Sequence, residues 1–149
     1  VQAPTYEVVR EEVIQSLDDI VATVPEPKEV VREPEDEPFS CSNPLLLSKR
    51  KGAFFTGQWA VYVPEDFDIR AYVTSLPGRL GAGWEERKSS IEVSFANVDL
   101  VREEPRLTVS VQETEINGRR ALDLIAISRC GVLPEDEPEP VGPRGVRKE

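Results

Sequence analysis

Few side chains in this sequence have chemistry to offer, and their spacing disperses them. Histidine, the commonest general base and metal ligand, is absent from the 149 residues. Its absence removes serine–histidine and cysteine–histidine nucleophilic catalysis. The pairs Glu85/Glu86 and Glu103/Glu104 have the residue types for glycoside hydrolysis. Neighbours near strand ends point to opposite faces, however, so neither pair converges on one substrate. Gly78-Arg79-Leu80-Gly81-Ala82-Gly83 lacks the Lys-Ser/Thr ending of a phosphate loop and follows a helix instead of a strand, which makes it a helix stop and turn. The one dense basic run, Lys49-Arg50-Lys51, suits an acidic partner or a solvated loop. Two cysteines without histidine cannot complete a zinc site. The sequence therefore predicts no catalytic residue, no metal and no cofactor, and a chain that is not an enzyme.

The two cysteines, Cys41 and Cys130, are better placed for structure. Cys41 opens the segment of regular hydrophobic patterning and Cys130 ends its last strand-like run, so a disulfide between them would tie the ends of a core together. Across their 89-residue separation, the chain-entropy account gives about 4–5 kcal/mol, a large share of a typical total of roughly 5–15 kcal/mol. Two unrelated buried thiols are the competing reading.

These residues are positioned by a predicted α+β fold: a mainly antiparallel sheet of four to five strands, one helix packed on one face, and a further amphipathic helix at the N-terminus that is mobile or docked on the other face. Residues 5–24 carry Tyr6, Val9, Val13, Leu17, Ile20 and Val24 at steps of three and four, with acids on the other side. Thr5 is the expected cap. Pro25 and Pro27 stop the helix. Residues 25–40, with four prolines and alternating charge, predict an extended linker, so that the helix need not pack on its own core. A domain over 41–133 and an acidic, proline-rich tail over 134–149 complete the division.

Within the domain, 53–63 reads as one strand with Phe55, Trp59, Val61 and Val63 on a common face. A helix from about residue 66 to Leu76 turns Ile69, Tyr72, Val73 and Leu76 inward, capped by Asp66 or Asp68 and broken at Pro77-Gly78. Trp84 opens a short strand; like Trp59, it suits the core. Three strands follow, around Ile91, Val93 and Phe95, around Leu107, Val109 and Val111, and from Arg119 to Cys130. Asn117-Gly118 is a type I′ hairpin signal. It sets Ile116 opposite Arg119, Val111 opposite Leu124, Val109 opposite Ala126 and Leu107 opposite Ser128. The reverse face pairs Thr108 and Ser110 with Ile127 and Ile125, and these two isoleucines need a cover, supplied by the N-terminal helix or by a partner.

The net charge is −10, and all of it lies outside the core. Residues 41–133 hold 12 acids and 12 bases, whereas 1–24 carry −4, 25–40 carry −4 and 134–149 carry −2. Neutral core and acidic flanks argue against nucleic acid and against an anionic membrane surface. No stretch approaches the roughly 20 apolar residues of a membrane span. The chain begins at Val1 and contains no methionine; a cleaved export signal and simple trimming account for this equally well.

The order Cys41, aromatic strand Phe54 to Val63, helix Asp66 to Leu80, Gly83-Trp84 and Ser128-Arg129-Cys130 resembles that of small secreted proteins and lipoproteins of Actinobacteria, over about residues 41–133. The resemblance implies export to the outer face of the cell membrane, with any lipid anchor upstream of Val1, and supplies no catalytic residue. The expected function is a binding or accessory domain of the cell envelope, acting through a protein partner. Val9, Val13, Leu17 and Ile20 are the candidate anchoring stripe, joined by Ile125 and Ile127. Alternatives are a small-molecule or lipid carrier with a pocket near Trp59, Tyr72 and Trp84, and an immunity or inhibitor protein whose acidic flanks meet a basic partner.

Overall fold

The computed structural model describes residues 4–35, 39–40, 52–81, 83–87 and 93–133. Cys41, the Lys49-Arg50-Lys51 run, Ile91 and the tail from Pro134 lie outside them, as do residues 36–38 of the expected linker.

Helix α1 spans Tyr6–Ala22. The Thr5 hydroxyl accepts from the Val8 N–H at 3.3 Å, closing the N-terminus as expected. The chain then turns back into β1 (Glu29–Arg32), followed by β2 (Phe39–Ser40), β3 (Gly52–Phe54), β4 (Thr56–Tyr62), α2 (Ile69–Leu80), β5 (Trp84–Arg87), β6 (Asn97–Glu103), β7 (Arg106–Ile116), β8 (Arg119–Ser128) and β9 (Gly131–Val132). One antiparallel sheet has six strands in the order β1-β4-β8-β7-β6-β5, and a second has three in the order β2-β3-β9. The fold is α+β with an antiparallel sheet, richer in strands than the four to five expected.

The β7–β8 hairpin has the predicted register, with Ile116 opposite Arg119, Val111 opposite Leu124, Val109 opposite Ala126 and Leu107 opposite Ser128. Its turn uses the positive φ that type I′ demands, 51° at Asn117 and 78° at Gly118.

Four expectations are corrected. The run 53–63 is two strands in two sheets, because the chain switches at buried Phe55. There the Phe55 N–H donates to Ser128 Oγ at 2.8 Å and the Ser128 N–H donates to the Phe55 carbonyl at 2.9 Å. Helix α2 starts at its Asp68 cap and runs through Pro77, whose fixed φ is helical and forfeits one bond without ending the helix. Gly81, at φ 82°, ends it. The strand expected around Val93 and Phe95 is displaced: these two are exposed, the chain bends at Ser94 and Phe95, and β6 begins at Asn97 with Val98 and Leu100 inward.

The fourth lies at the N-terminus, where the described residues of the expected helix and linker, 4–35 and 39–40, are not appendages to a separate domain. Val9, Val13, Leu17 and Ile20 are fully buried, and α1 packs on β8, β4, β3 and β9. Burying four such side chains contributes about 6–12 kcal/mol relative to leaving them in water. Helix α2 packs on β5, β6 and β7 and joins the same core cluster, so both helices share one face of the sheet instead of lying on opposite faces as expected. They meet where the Tyr72 hydroxyl and Thr23 Oγ1 lie 2.7 Å apart. The opposite face, with Ile125 and Ile127, is left without a helix.

Two glycines give a test of opposite signs. A Cβ at Gly131 would lie 2.9 Å from the Thr5 carbonyl oxygen and from Tyr6 Cα, both main-chain atoms. Gly131→Ala is expected to destabilise by about 1–3 kcal/mol. Gly78, inside α2, has nothing within 4 Å of its Cβ position. Gly78→Ala is expected to stabilise by about 0.5–1 kcal/mol. Urea melts of the two variants measure both.

Candidate functional site

Three surfaces are built by this packing. The first is the helix-free face of the six-stranded sheet. Because directly opposed residues share a face, Gln58, Ile125, Ser110, Asp99 and Arg87 form one row across the strands, and Thr56, Ile127, Thr108, Val101 and Glu85 the next. Ile127 is 39% exposed and Val31 at the sheet edge 38%, while Ile125 is half-buried. Ala60, opposite Val31, is buried, and Gln58 Nε2 donates to Asp123 Oδ1 at 3.1 Å. Glu85 and Glu86 point to opposite faces here, since they oppose Val101 and Leu100.

The second surface follows β1, where residues 28–35 run back along α1. Lys28 Nζ donates to the Val21 and Val24 carbonyls at 2.8 and 2.7 Å, holding a cation at the negative end of the helix. One helical length away, the Arg10 guanidinium forms a two-pronged pair with Glu35. Between them Arg32 Nη2 lies 3.2 Å from Asp18 Oδ1, and its Cζ stands 4.2 Å over the Trp59 ring. Arg119 stacks 4.0 Å over Tyr62 and pairs with Glu29 at 3.1 Å. The composition of 25–40 reads as a solvated linker because its charges alternate; that alternation is what matches the charges on α1 and β8.

The third is an open groove of about 620 Å³ between α1 and the β6–β7 turn. Glu7, Val8 and Glu11 form its helical wall, and Arg102 and Pro105 the other. Arg102 is drawn to Trp84, 5.0 Å over its ring. Glu12, also lining the groove, pairs with Arg129 at 2.7 Å.

The expected site residues separate accordingly. Val9, Val13, Leu17 and Ile20 form a stripe as predicted, but it is spent on the protein's own core and is closed to a partner. Ile125 and Ile127 lie on the open face. Cys130 is half-buried in the link between β8 and β9, and the described residues include no free cysteine; its expected partner Cys41 lies outside them. Trp59 and Tyr72 belong to the core cluster, with Trp84 packed against it. Among the described residues, no group of three or more His, Cys, Asp or Glu could hold a metal ion, and no helix is long and apolar enough to cross a membrane.

No protein family, curated protein or solved structure matches the chain.

Two groups are electrostatically shifted in ways that matter. Burial raises the Tyr72 phenol above its ordinary value, against the hydrogen bond to Thr23, which lowers it. The Arg10 hydrogen bond holds the Glu35 carboxyl below its usual value of 4.5, outweighing partial burial. A carboxylate with a depressed folded pKa stabilises the fold fully above its unfolded pKa, and that contribution disappears as pH falls through the folded value. Acidification below about pH 4.5 is thus expected to cost the wild type stability that Glu35→Gln does not lose. The pair is half-exposed, so the difference is at most about 1 kcal/mol, read from urea melts of the two proteins at neutral and acid pH.

Proposed function

We propose that this chain is a non-enzymatic binding or accessory domain of the cell envelope, presented outside the cytoplasm, that engages a protein partner through the helix-free face of its sheet. The observation that carries the reading is the placement of both helices on one face. The other face keeps Ile127 accessible beside half-buried Ile125, two residues earlier on β8, within a rim of Asp99, Asp123, Gln58 and Arg87. An apolar centre with a polar rim is the general anatomy of a protein-binding patch. The proposed Cys41–Cys130 disulfide and the resemblance to actinobacterial secreted proteins and lipoproteins support the extracytoplasmic part of the reading.

A second reading draws on the groove beside α1. Glu7, Glu11 and Glu12 along one wall favour an immunity or inhibitor protein that meets a basic partner there. Strongly salt-dependent association would favour that reading over the sheet face.

The test of the face is Ile127→Asp. The side chain is partly exposed but sits in a central strand, so the change should cost about 1–2 kcal/mol of stability, which circular dichroism of the variant checks before binding is compared. Recovery of the envelope partner by the tagged protein should fall at least about tenfold. A partner recovered equally by both proteins would remove the sheet face from the reading. For the location, protein from its native cells should be two hydrogens lighter before reduction than after, and should alkylate only once reduced. Two free thiols in otherwise unmodified protein would end the envelope assignment.

A further inference from the structure

β1 is attached by different means from the strands inside its sheet. None of its four residues is buried, whereas β4, β6, β7 and β8 all bury residues. It pairs with Trp59–Tyr62 only, and the Glu33 N–H adds one bond to the Gln58 carbonyl. Within the strand its side-chain anchors are ion pairs among exposed groups and arginine–ring stacking, with the less exposed Lys28 and Arg10–Glu35 contacts just outside its two ends. Arg32 and Asp18 are 60% and 46% exposed, and Arg119 and Glu29 are 56% and 58%. Exposed pairs contribute little individually and are screened by salt. By contrast, α1 is held by its buried apolar stripe on β8, β4, β3 and β9. The strand can thus detach without removing that apolar support.

Detachment would leave a specific surface behind. The edge of β4 would present main-chain donors and acceptors, a template for strand addition. Beside that edge would lie the Trp59 ring with Asp18 next to it, and Arg119 standing over Tyr62. An incoming strand satisfies both ends with an arginine for Trp59 and Asp18, and an acid for Arg119. β1 sets their spacing at three residues, Glu29 to Arg32.

We propose that β1 is a latch strand that opens while the rest of the domain stays folded, and that the β4 edge it uncovers accepts an extended strand of a partner protein carrying an acidic residue three positions before an arginine. The proposal concerns the sheet edge and stands independently of the open face.

Hydrogen exchange of the full chain tests the opening. The Val31 and Glu33 amides should exchange at least about 100-fold faster than those of Leu122 and Leu124, as sub-global opening requires. High salt or Arg32→Ala should accelerate the first pair and leave the second unchanged. Equal protection of β1 and β8 overturns the proposal. A labelled peptide of residues 25–35, added in trans, tests the docking. Arg32→Ala and, independently, Glu35→Gln weaken the resident strand, and each should bind this probe about two- to fivefold more tightly than wild type. A peptide with Glu29 and Arg32 exchanged should not bind. Binding unchanged by either variant, or indifferent to that exchange, overturns the proposal. Sedimentation showing a dimer of the wild-type chain would assign the edge to a second copy and overturn the partner strand.

Discussion

The close approach of α1 to the sheet is the contact on which the remaining architecture rests. It is made over small residues. Gly57 lies opposite Ala126, and a Cβ at Gly57 would already stand 3.0 Å from Leu17 Cδ1 and 3.2 Å from Val13 Cγ1. Gly131 brings β9 equally close to the first turn of the helix, where the Val132 N–H donates to the Pro4 carbonyl at 2.8 Å. This shallow seat lets Val9, Val13, Leu17 and Ile20 reach the core that α2 fills from the other end. One side of the sheet is then shielded by two helices, and every apolar residue on its reverse side depends on something else for cover.

Much of this was legible in the sequence wherever a local rule acted alone. Asn117-Gly118 fixes a turn by its backbone requirement, and the turn fixes ten cross-strand pairs. The 3.6-residue spacing in α1 and the inward face of α2 are equally local. The apolar stripe of α1 is legible as a surface that must be covered, but what covers it is not, because periodicity marks a face and not what the face meets. The proline-rich stretch failed for a related reason. Its composition permits disorder, and the position of each charge against Arg10, Asp18 and Arg119 decides otherwise, at separations of 14 to 90 residues. Phe55 is a third case: its place in an unbroken apolar alternation hides the change of sheet, which Ser128 enforces from 73 residues away.

The candidate surfaces differ in how their energies respond to conditions. The sheet face is governed by apolar area and is insensitive to salt, whereas β1 is held mainly by charges and a short ladder of main-chain bonds. One domain therefore combines a permanent surface with a conditional edge. Ile125 and Ile127 were visible in advance because hairpin register placed them; β1 was not, since its pairing with β4 spans a long interval of sequence and leaves no periodic trace.

The order of the sheet also sets the order of assembly. β5 to β8 form a meander whose neighbours in space are neighbours in sequence, so this part forms from short-range contacts. β4, although it precedes all four, pairs with β8, Thr56 meeting Ile127. Its loop closure must wait for the end of the meander. β1 waits in turn for β4, and α1 for the floor that β4 and β8 lay together. α1, β1 and β4 are consequently the last of these elements to settle. While the protein emerges N-terminus first from whatever machinery delivers it, roughly the first sixty residues have no finished surface to fold upon until residue 128 is free.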